Sequence, residues 1–162
     1  MKKSSYLILA ILLIATSYII VRAINSKPQQ EDNTDTEKSI KFSEDLLVEE
    51  ITYNEENQIL KYTMINNTQM TLEYGAVFTV MKLDENNALI ETDLTDDLAF
   101  DMMLRIVEAG ETFSDEVRFS LFTEPIDEGT YYIVREYKDT DGKEHIPEIS
   151  FKKDDDGVHP NN

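Results

Sequence analysis

Four aspartates that lie close together in the sequence have the type and spacing best suited to a chemical role. They are Asp93, Asp96, Asp97 and Asp101. Several carboxylates within one loop are the kind of ligand set that Ca²⁺ prefers. The sequence therefore offers one candidate metal site, for calcium, in the segment 93–101. The alternative interpretation is that these carboxylates are only solvated by water and hold no cofactor.

Two other acidic stretches resemble metal sites less closely. Residues 139–142 (Asp-Thr-Asp-Gly) begin like a calcium loop, but Ser150 stands where the loop needs a bidentate glutamate. The Asp-Gly pair favours a hairpin turn instead. The carboxylates 154–156 and His159 fall in the segment 153–162, whose composition predicts a disordered acidic tail.

The residue types needed for common catalytic sites are scarce in this chain. It has no cysteine, which excludes disulfides, thiolate metal sites and a cysteine nucleophile. With only two histidines, His145 and His159, a multi-histidine zinc site cannot be built. Neither a Gly-x-Ser-x-Gly motif nor a phosphate-binding glycine loop occurs. We therefore predict that the protein is not an enzyme and has no catalytic residues.

Charge is unevenly distributed along the chain. The sequence has 15 Lys and Arg against 33 Asp and Glu, a net charge of −18. Lys2, Lys3 and Arg22 all precede the first acidic residue, Glu31. From Ile24 onward, 12 basic and 33 acidic residues remain, a net charge of −21. Such a surface repels nucleic acid and anionic lipid headgroups, so we expect no nucleic-acid partner.

The N-terminus has the pattern of an export segment. Two lysines precede an uncharged apolar run at residues 6–21. With the two serines before it, the run extends over residues 4–21, which is long enough to enter the range that spans a bilayer. The lysines favour a cytoplasmic N-terminus with the rest of the chain outside the cell.

These patterns divide the chain into four parts. Residues 1–24 are predicted to form a hydrophobic helix that remains as a membrane anchor. The alternative is a signal peptide cleaved after Ala23, which would release a secreted protein. The polar residues 25–39 predict a disordered tether. The folded domain is expected over residues 40–152, followed by the acidic tail.

The domain reads as short β-strands separated by turns. The strongest strand pattern lies at 129–137, where β-branched and aromatic residues follow Gly129. The alternation over residues 115–122 places Val117 and Leu121 on the buried face. Seven or eight short strands without a strong amphipathic helix predict an all-β fold, an antiparallel β-sandwich.

Four motifs follow one another in an order that resembles a known family. They are Asn-Asn at 66–67, Glu-Tyr-Gly-Ala-Val-Phe at 73–78, Ala-Gly-Glu-Thr at 109–112 and Gly-Thr-Tyr-Tyr-Ile-Val at 129–134. In this order they resemble the bacterial immunoglobulin-like domains of uncharacterised Gram-positive envelope proteins. The resemblance extends over about residues 46–151. Two departures from the family pattern are Ala109 in place of a proline and Tyr132 where arginine is common.

The resemblance implies which residues hold the fold together. The structural positions would be Tyr74, Gly75, Gly110, Gly129 and Tyr131. The sequence Gly-x-Tyr at 129–131 also resembles the tyrosine corner of immunoglobulin-like sandwiches. In that motif the ring packs inside the domain and the hydroxyl bonds to backbone a few residues upstream.

The family has no catalytic residues to carry over, and it implies an extracytoplasmic fold of unassigned function. We predict a non-catalytic binding or structural module at the bacterial cell surface, whose partner is another envelope protein or a second copy of itself. Tyr132 and Tyr137 are the candidate partner-binding residues, because exposed aromatic side chains often dominate interfaces. The alternative is a calcium- or small-ligand-binding envelope protein that uses the acidic loop 93–101.

Overall fold

The structure is a computed structural model that describes residues 40–161. This part of the chain forms twelve β-strands and two short 3₁₀ helices. None of its helices has the length and hydropathy needed to cross a membrane. The predicted anchor and tether lie outside the described residues.

The strands are short, as the spacing of turns in the sequence predicts. In chain order they are β1 Leu46–Asn54, β2 Ile59–Asn66, β3 Leu72–Tyr74, β4 Thr79–Leu83, β5 Leu89–Glu91, β6 Arg105–Val107, β7 Thr112–Arg118, β8 Gly129–Val134, β9 Tyr137–Asp139, β10 Glu144–His145, β11 Ile149–Asp154 and β12 Gly157–Asn161. The 3₁₀ helices are Asp93–Thr95 and Phe119–Leu121.

The strands form three antiparallel sheets with the orders β1-β2-β7, β10-β9-β3-β6 and β12-β11-β8-β4-β5. The predicted all-β, antiparallel architecture is therefore confirmed. The predicted number of strands is too low, because some predicted strands are split in two and a further strand forms at the C-terminus. Along β2, every second side chain is buried, which is the period of a strand with one face on a core.

The predicted strand at 129–137 is split between two sheets. β8 ends at Val134 and lies between β11 and β4, so it is central as its apolar bulk predicts. β9 begins at Tyr137 in the sheet that contains β3. The break falls at Arg135, whose side chain is buried and ion-paired. Arg135 belongs to neither ladder, and the chain crosses from the sheet of β8 to the sheet of β9 at this point.

The prediction of a disordered tail at 153–162 is wrong, because β12 pairs with β11 along its whole length. The turn between them is held by Asp154, whose carboxylate accepts hydrogen bonds from Lys152 Nζ and His159 Nε2, both at 3.0 Å. The Lys152 ammonium holds the pKa of Asp154 at about 2. Gly157, with φ +134°, completes the turn. The folded domain therefore continues to Asn161.

One hydrophobic core is shared by all three sheets. The largest side chains with no appreciable exposure are Leu60, Tyr62, Met64, Leu72, Val80, Met81, Val117, Ile133, Tyr137, Ile149 and Phe151. Each such side chain contributes roughly 1.5–3 kcal/mol relative to an exposed one. Packing must stabilise the domain without disulfides, since the sequence has no cysteine. The prediction that Leu121 points inward is wrong: it is 59% exposed, because β7 ends at Arg118 and gives way to a 3₁₀ helix.

Asn66, at the end of β2, joins three parts of the chain. Its buried side-chain amide donates to the carbonyls of Met70 at 2.9 Å, Glu108 at 3.1 Å and Val107 at 3.3 Å. Its carbonyl oxygen accepts from the backbone N–H and the hydroxyl of Thr68. These bonds tie the end of β6 to the loop between β2 and β3.

Candidate functional site

All three arginines of the described residues line one cleft, which we call the arginine cleft. Arg105 comes from β6, Arg118 from the end of β7, and Arg135 from the segment after β8. The cleft has a volume of about 360 Å³. Only one other arginine, Arg22, occurs in the sequence. In so acidic a chain, this is a marked concentration of guanidinium groups.

Arg135 and Asp115 form an ion pair at the inner end of the cleft. Their side chains are only 3% and 7% exposed. The same carboxylate accepts from Arg105 Nη1, which lies 3.3 Å from both oxygens. Two guanidinium groups therefore share one carboxylate, in a cleft that Asp101, Glu116 and Arg118 also line. This ion cluster connects β6, β7 and the end of β8.

Aromatic rings cover the two guanidinium groups. The guanidinium carbon of Arg135 lies 5.3 Å from the ring centroid of Phe78 and 5.9 Å from that of Tyr74. The guanidinium carbon of Arg105 lies 5.8 Å from the Tyr74 centroid. These distances allow cation–π attraction. Tyr74 thus has a role beyond packing, because its ring contacts both cations of the cluster.

The charges in this region are fixed at ordinary pH. Burial raises the pKa of Tyr62, Tyr74 and Tyr137, so all three phenols stay neutral. Burial lowers the pKa of Arg135. The phenols of Tyr62 and Tyr137 and the carboxylate of Asp115 raise it by more, so the pKa of Arg135 lies above its ordinary value. The guanidinium therefore stays charged. No serine, cysteine or histidine lines the cleft, so it lacks the nucleophile and the imidazole base of a serine or cysteine hydrolase.

A Ser-His-Asp row lies elsewhere in the domain. His145 Nε2 is 3.1 Å from Asp139 Oδ2, and His145 Nδ1 is 3.2 Å from Ser43 Oγ. Acyl transfer needs hydrogen-bond donors that stabilise the developing oxyanion. The shallow cleft at Ser43 is lined by Lys41, Glu44, Asp45, Lys143 and Glu144, so carboxylates outnumber ammonium groups there. The Ser43 N–H also donates to the Ile146 carbonyl at 2.8 Å. The row therefore fits a structural role, attaching the start of the domain to β10.

A run of large apolar side chains is exposed at the start of β6. We call residues 100–106 the apolar segment. The exposed fractions are 96% for Met102, 63% for Met103, 60% for Leu104 and 58% for Ile106. The segment lies beside the arginine cleft, and Leu104 also lines a second cleft of about 400 Å³ together with the exposed Val77. Large exposed apolar side chains that lie this close together in the chain are typical of an interaction site.

The two predicted partner-binding tyrosines differ in their exposure to solvent. The prediction that Tyr137 is an exposed binding residue is wrong, because its side chain is completely buried. Its ring packs on Tyr74 with a centroid distance of 4.6 Å. Tyr132 is half-buried and stacks on Phe42 with a centroid distance of 5.5 Å. A binding role for Tyr132 stays a prediction.

The four predicted calcium ligands are not brought together. Asp93 opens a 3₁₀ helix, while Asp96, Asp97 and Asp101 are exposed. The Asp101 carboxylate accepts from the Met103 N–H at 3.1 Å. Across residues 40–161, no three His, Cys, Asp or Glu side chains are placed to hold a metal ion. Calcium binding at this loop gains no geometric support.

The five predicted structural residues differ in what they do. Tyr131 is buried, and its hydroxyl donates to the Asp127 carbonyl at 3.1 Å, which is the geometry of a tyrosine corner. Gly110 has φ +76° in the turn before β7, a conformation that favours glycine. Gly75 has open space around it, so a side chain at this position would not clash with its neighbours.

Glycine suits position 129 for both a conformational and a steric reason. Its φ is +152°, and a Cβ placed there would lie 2.6 Å from Lys82 Cε. The Lys82 ammonium in turn lies 5.3 Å from the Tyr131 ring centroid. The glycine therefore lets the lysine chain pass across the start of β8.

Comparison with known proteins agrees with this architecture. A family model described as bacterial Ig-like domain matches residues 36–147, which is more than half of the chain. No curated protein matches the sequence. Because the match covers most of the sandwich and the strands form antiparallel Ig-like sheets, the chain belongs to the bacterial Ig-like domain family.

Proposed function

We propose that the protein is a non-catalytic binding module displayed on the outer face of a bacterial cell membrane, held there by residues 1–24. The observation that supports this proposal most directly is the apolar segment, where four large side chains are more than half exposed. None of these four side chains belongs to the hydrophobic core of the described residues or packs against it. Function would then consist of presenting this surface to a macromolecular partner.

The sequence supports the location of the module. The apolar run at 4–21 follows two lysines, which is the charge bias of an anchor with its C-terminal domain outside the cell. A net charge of −21 from Ile24 onward would keep the domain soluble and away from anionic headgroups. The tether at 25–39 would give the domain freedom to reach its partner.

In-cell photo-cross-linking of the full chain tests the binding role. A photoreactive amino acid at Met102 should capture a macromolecule, whereas the same group at the exposed Thr140 should not. The double variant Met102→Ser and Leu104→Ser, with a photoreactive residue at Met103, should lose the product. Equal products from positions 102 and 140 would overturn the proposal. Protease cleavage of a C-terminal tag on intact cells tests the orientation.

The non-catalytic part of the proposal has its own test. A fluorophosphonate probe labels serines that a neighbouring histidine activates. We expect no labelling of the full chain, because the three carboxylates that line the cleft at Ser43 disfavour the negative charge of an oxyanion. Labelling that disappears in Ser43→Ala but persists in Ser120→Ala would contradict this and would indicate a hydrolase site at the Ser43-His145-Asp139 row.

A further inference from the structure

The strand β6 is at one end of its sheet. Its partner on one side is β3, and within residues 40–161 no strand pairs with its other edge. The residues just before it, 99–104, form no strand either. An open edge that carries apolar side chains is a template for pairing with another strand. We propose, building on the binding role above, that the apolar segment pairs antiparallel with the same segment of a second copy, about a two-fold axis at Met103.

The charges of the segment select this register. With Met103 opposite Met103, Asp101 of each copy faces Arg105 of the other. Opposite charges that face one another across strands stabilise a pair. A shift of one residue places Asp101 opposite Leu104 or Ile106 and leaves both charges against apolar side chains. Register is strongly specified where such a pattern exists.

The apolar side chains match in the same register. Met102 faces Leu104 in both halves of the pair, and Ile106 faces Phe100, whose half-buried ring packs edge-on against Phe78. These pairs would cover the large exposed areas of Met102, Leu104 and Ile106. The surface is therefore complementary to itself, as an interface with two-fold symmetry requires.

The hydrogen bonds of the apolar segment are also consistent with this register. The Met103 N–H is already bonded to Asp101 Oδ1, which suits a central pair that exchanges no backbone hydrogen bonds. For the N–H groups of Met102 and Leu104, the described residues supply no acceptor. These groups would form the ladder between copies. Arg105 is 40% exposed and uses one Nη on Asp115, so its guanidinium retains donors for Asp101 of the second copy.

The arginine cleft beside the apolar segment is lined by three arginines and three carboxylates, so it does not share the strong negative charge of the chain. The chain as a whole is strongly negative, and two copies repel one another at long range. Within the cleft, Arg105 and Arg135 share the carboxylate of Asp115. The interface is short, so pairing would depend on the high effective concentration that a common membrane provides.

Disulfide mapping of the full chain in lipid vesicles tests this pairing, because the native sequence has no cysteine. Directly opposite residues lie at Cα separations that a disulfide can join. We expect Met103→Cys to form a covalent dimer about tenfold faster than the matched surface variant Thr140→Cys, as a raised effective concentration requires. A mixture of Asp101→Cys and Arg105→Cys chains should form a mixed dimer. Asp101→Cys alone should not, because its two copies would be about 14 Å apart.

Each outcome decides between the two proposals. Equal rates for positions 103 and 140, or no gain from mixing the Asp101 and Arg105 variants, would overturn the self-pairing. If photoreactive residue 102 captured a different protein while Met103→Cys gave no dimer, self-pairing would fall and the binding role would stand. If neither the photoreactive group nor the cysteine captured anything, both proposals would fall.

Discussion

Arg135 and Asp115 form an ion pair that is almost completely removed from solvent, and it fixes the end of β8 to β7. Removing one partner of such a pair leaves an uncompensated buried charge. We therefore expect Asp115→Ala to lower the free energy of unfolding by about 3–5 kcal/mol. Urea unfolding of the full chain, followed by circular dichroism, would measure the change.

The neighbouring Glu116 provides the control for that substitution. Its ion pair with Arg118 is at the surface, where the side chains are 34% and 58% exposed. Exposed pairs contribute little, so Glu116→Ala should change the free energy of unfolding by less than about 1 kcal/mol. Similar losses for the two variants would show that the buried pair has no special importance.

The hydroxyl of Tyr131 closes the corner before β8 by donating to the Asp127 carbonyl. Tyr131→Phe keeps the buried ring and removes only this hydrogen bond. We expect a loss of about 1 kcal/mol in the free energy of unfolding. Tyr132→Phe is the matched control, since its ring is half-buried and stacks on Phe42. A loss from Tyr131→Phe no greater than that of the control would contradict the role of the hydroxyl.

Two glycines from the family pattern should respond differently to alanine. At Gly129 a side chain would be strained by the positive φ and would displace Lys82 from the Tyr131 ring. We expect Gly129→Ala to lower the free energy of unfolding by about 1–3 kcal/mol. Gly75→Ala, which meets open space, should change it by less than about 0.5 kcal/mol. Thermal unfolding of both variants against the native chain measures this difference, and equal shifts would refute it.

Asp139 makes the stability of the domain depend on pH. The hydrogen bond from His145, together with the backbone N–H groups of Lys143 and Asp141, lowers the pKa of Asp139 below its ordinary value of 3.8. A carboxyl whose pKa is lower in the folded state contributes stability above its unfolded pKa, and this is lost as pH falls through the folded pKa. Compared with Asp139→Asn, the native chain should be more stable at pH 6, and the difference should shrink below about pH 4. A difference that stays constant with pH would contradict the assignment.

Calcium should leave the stability of the protein unchanged. The loop 93–101 presents its four carboxylates without bringing three of them together. A site with a Kd of about 0.1 mM would raise the free energy of unfolding by about 2.7 kcal/mol in about 10 mM calcium. We expect no rise in the unfolding temperature with calcium relative to EDTA. A rise that the double variant Asp96→Asn and Asp97→Asn abolishes would restore the calcium hypothesis.

Local patterns in the sequence were sufficient to predict much of the fold. Alternation placed Val117 on the buried face of β7, because a strand repeats every two residues. The Asp141-Gly142 pair predicted the hairpin in which β9 pairs with β10. Both features depend on neighbouring residues alone.

Features that depend on distant residues could not be predicted in the same way. The run 129–137 has uniform strand propensity, so nothing in it predicts that β8 ends at Val134 and that β9 begins at Tyr137 in another sheet. The carboxylate of Asp154 belongs to a run of charges that resembles a solvated tail, yet Lys152 and His159 turn it into the centre of a hairpin. Composition does not distinguish these outcomes.

The candidate site was predicted less well than the fold. The aspartates of the loop 93–101 have the chemical type of calcium ligands, but whether their carboxylates meet depends on the path of the backbone. The apolar segment consists of residues that usually lie in a core, and its exposure follows from the position of β6 at a sheet edge. The three arginines after residue 24 are too far apart in sequence for their common cleft to be foreseen.

The buried side chain of Asn66 limits the choice of host in which this protein can be produced. Residues 66–68 read Asn-Asn-Thr, which is an acceptor sequence for N-linked glycosylation in eukaryotic secretory cells. The sugar would be attached to Nδ2, the atom that donates to the carbonyls of Met70, Val107 and Glu108. A glycosylated Asn66 keeps only one N–H on Nδ2, so it cannot make all of these bonds, and it cannot bury a side chain that carries a sugar. Secretion from yeast or mammalian cells should therefore yield misfolded glycoprotein, whereas bacterial expression leaves the amide intact.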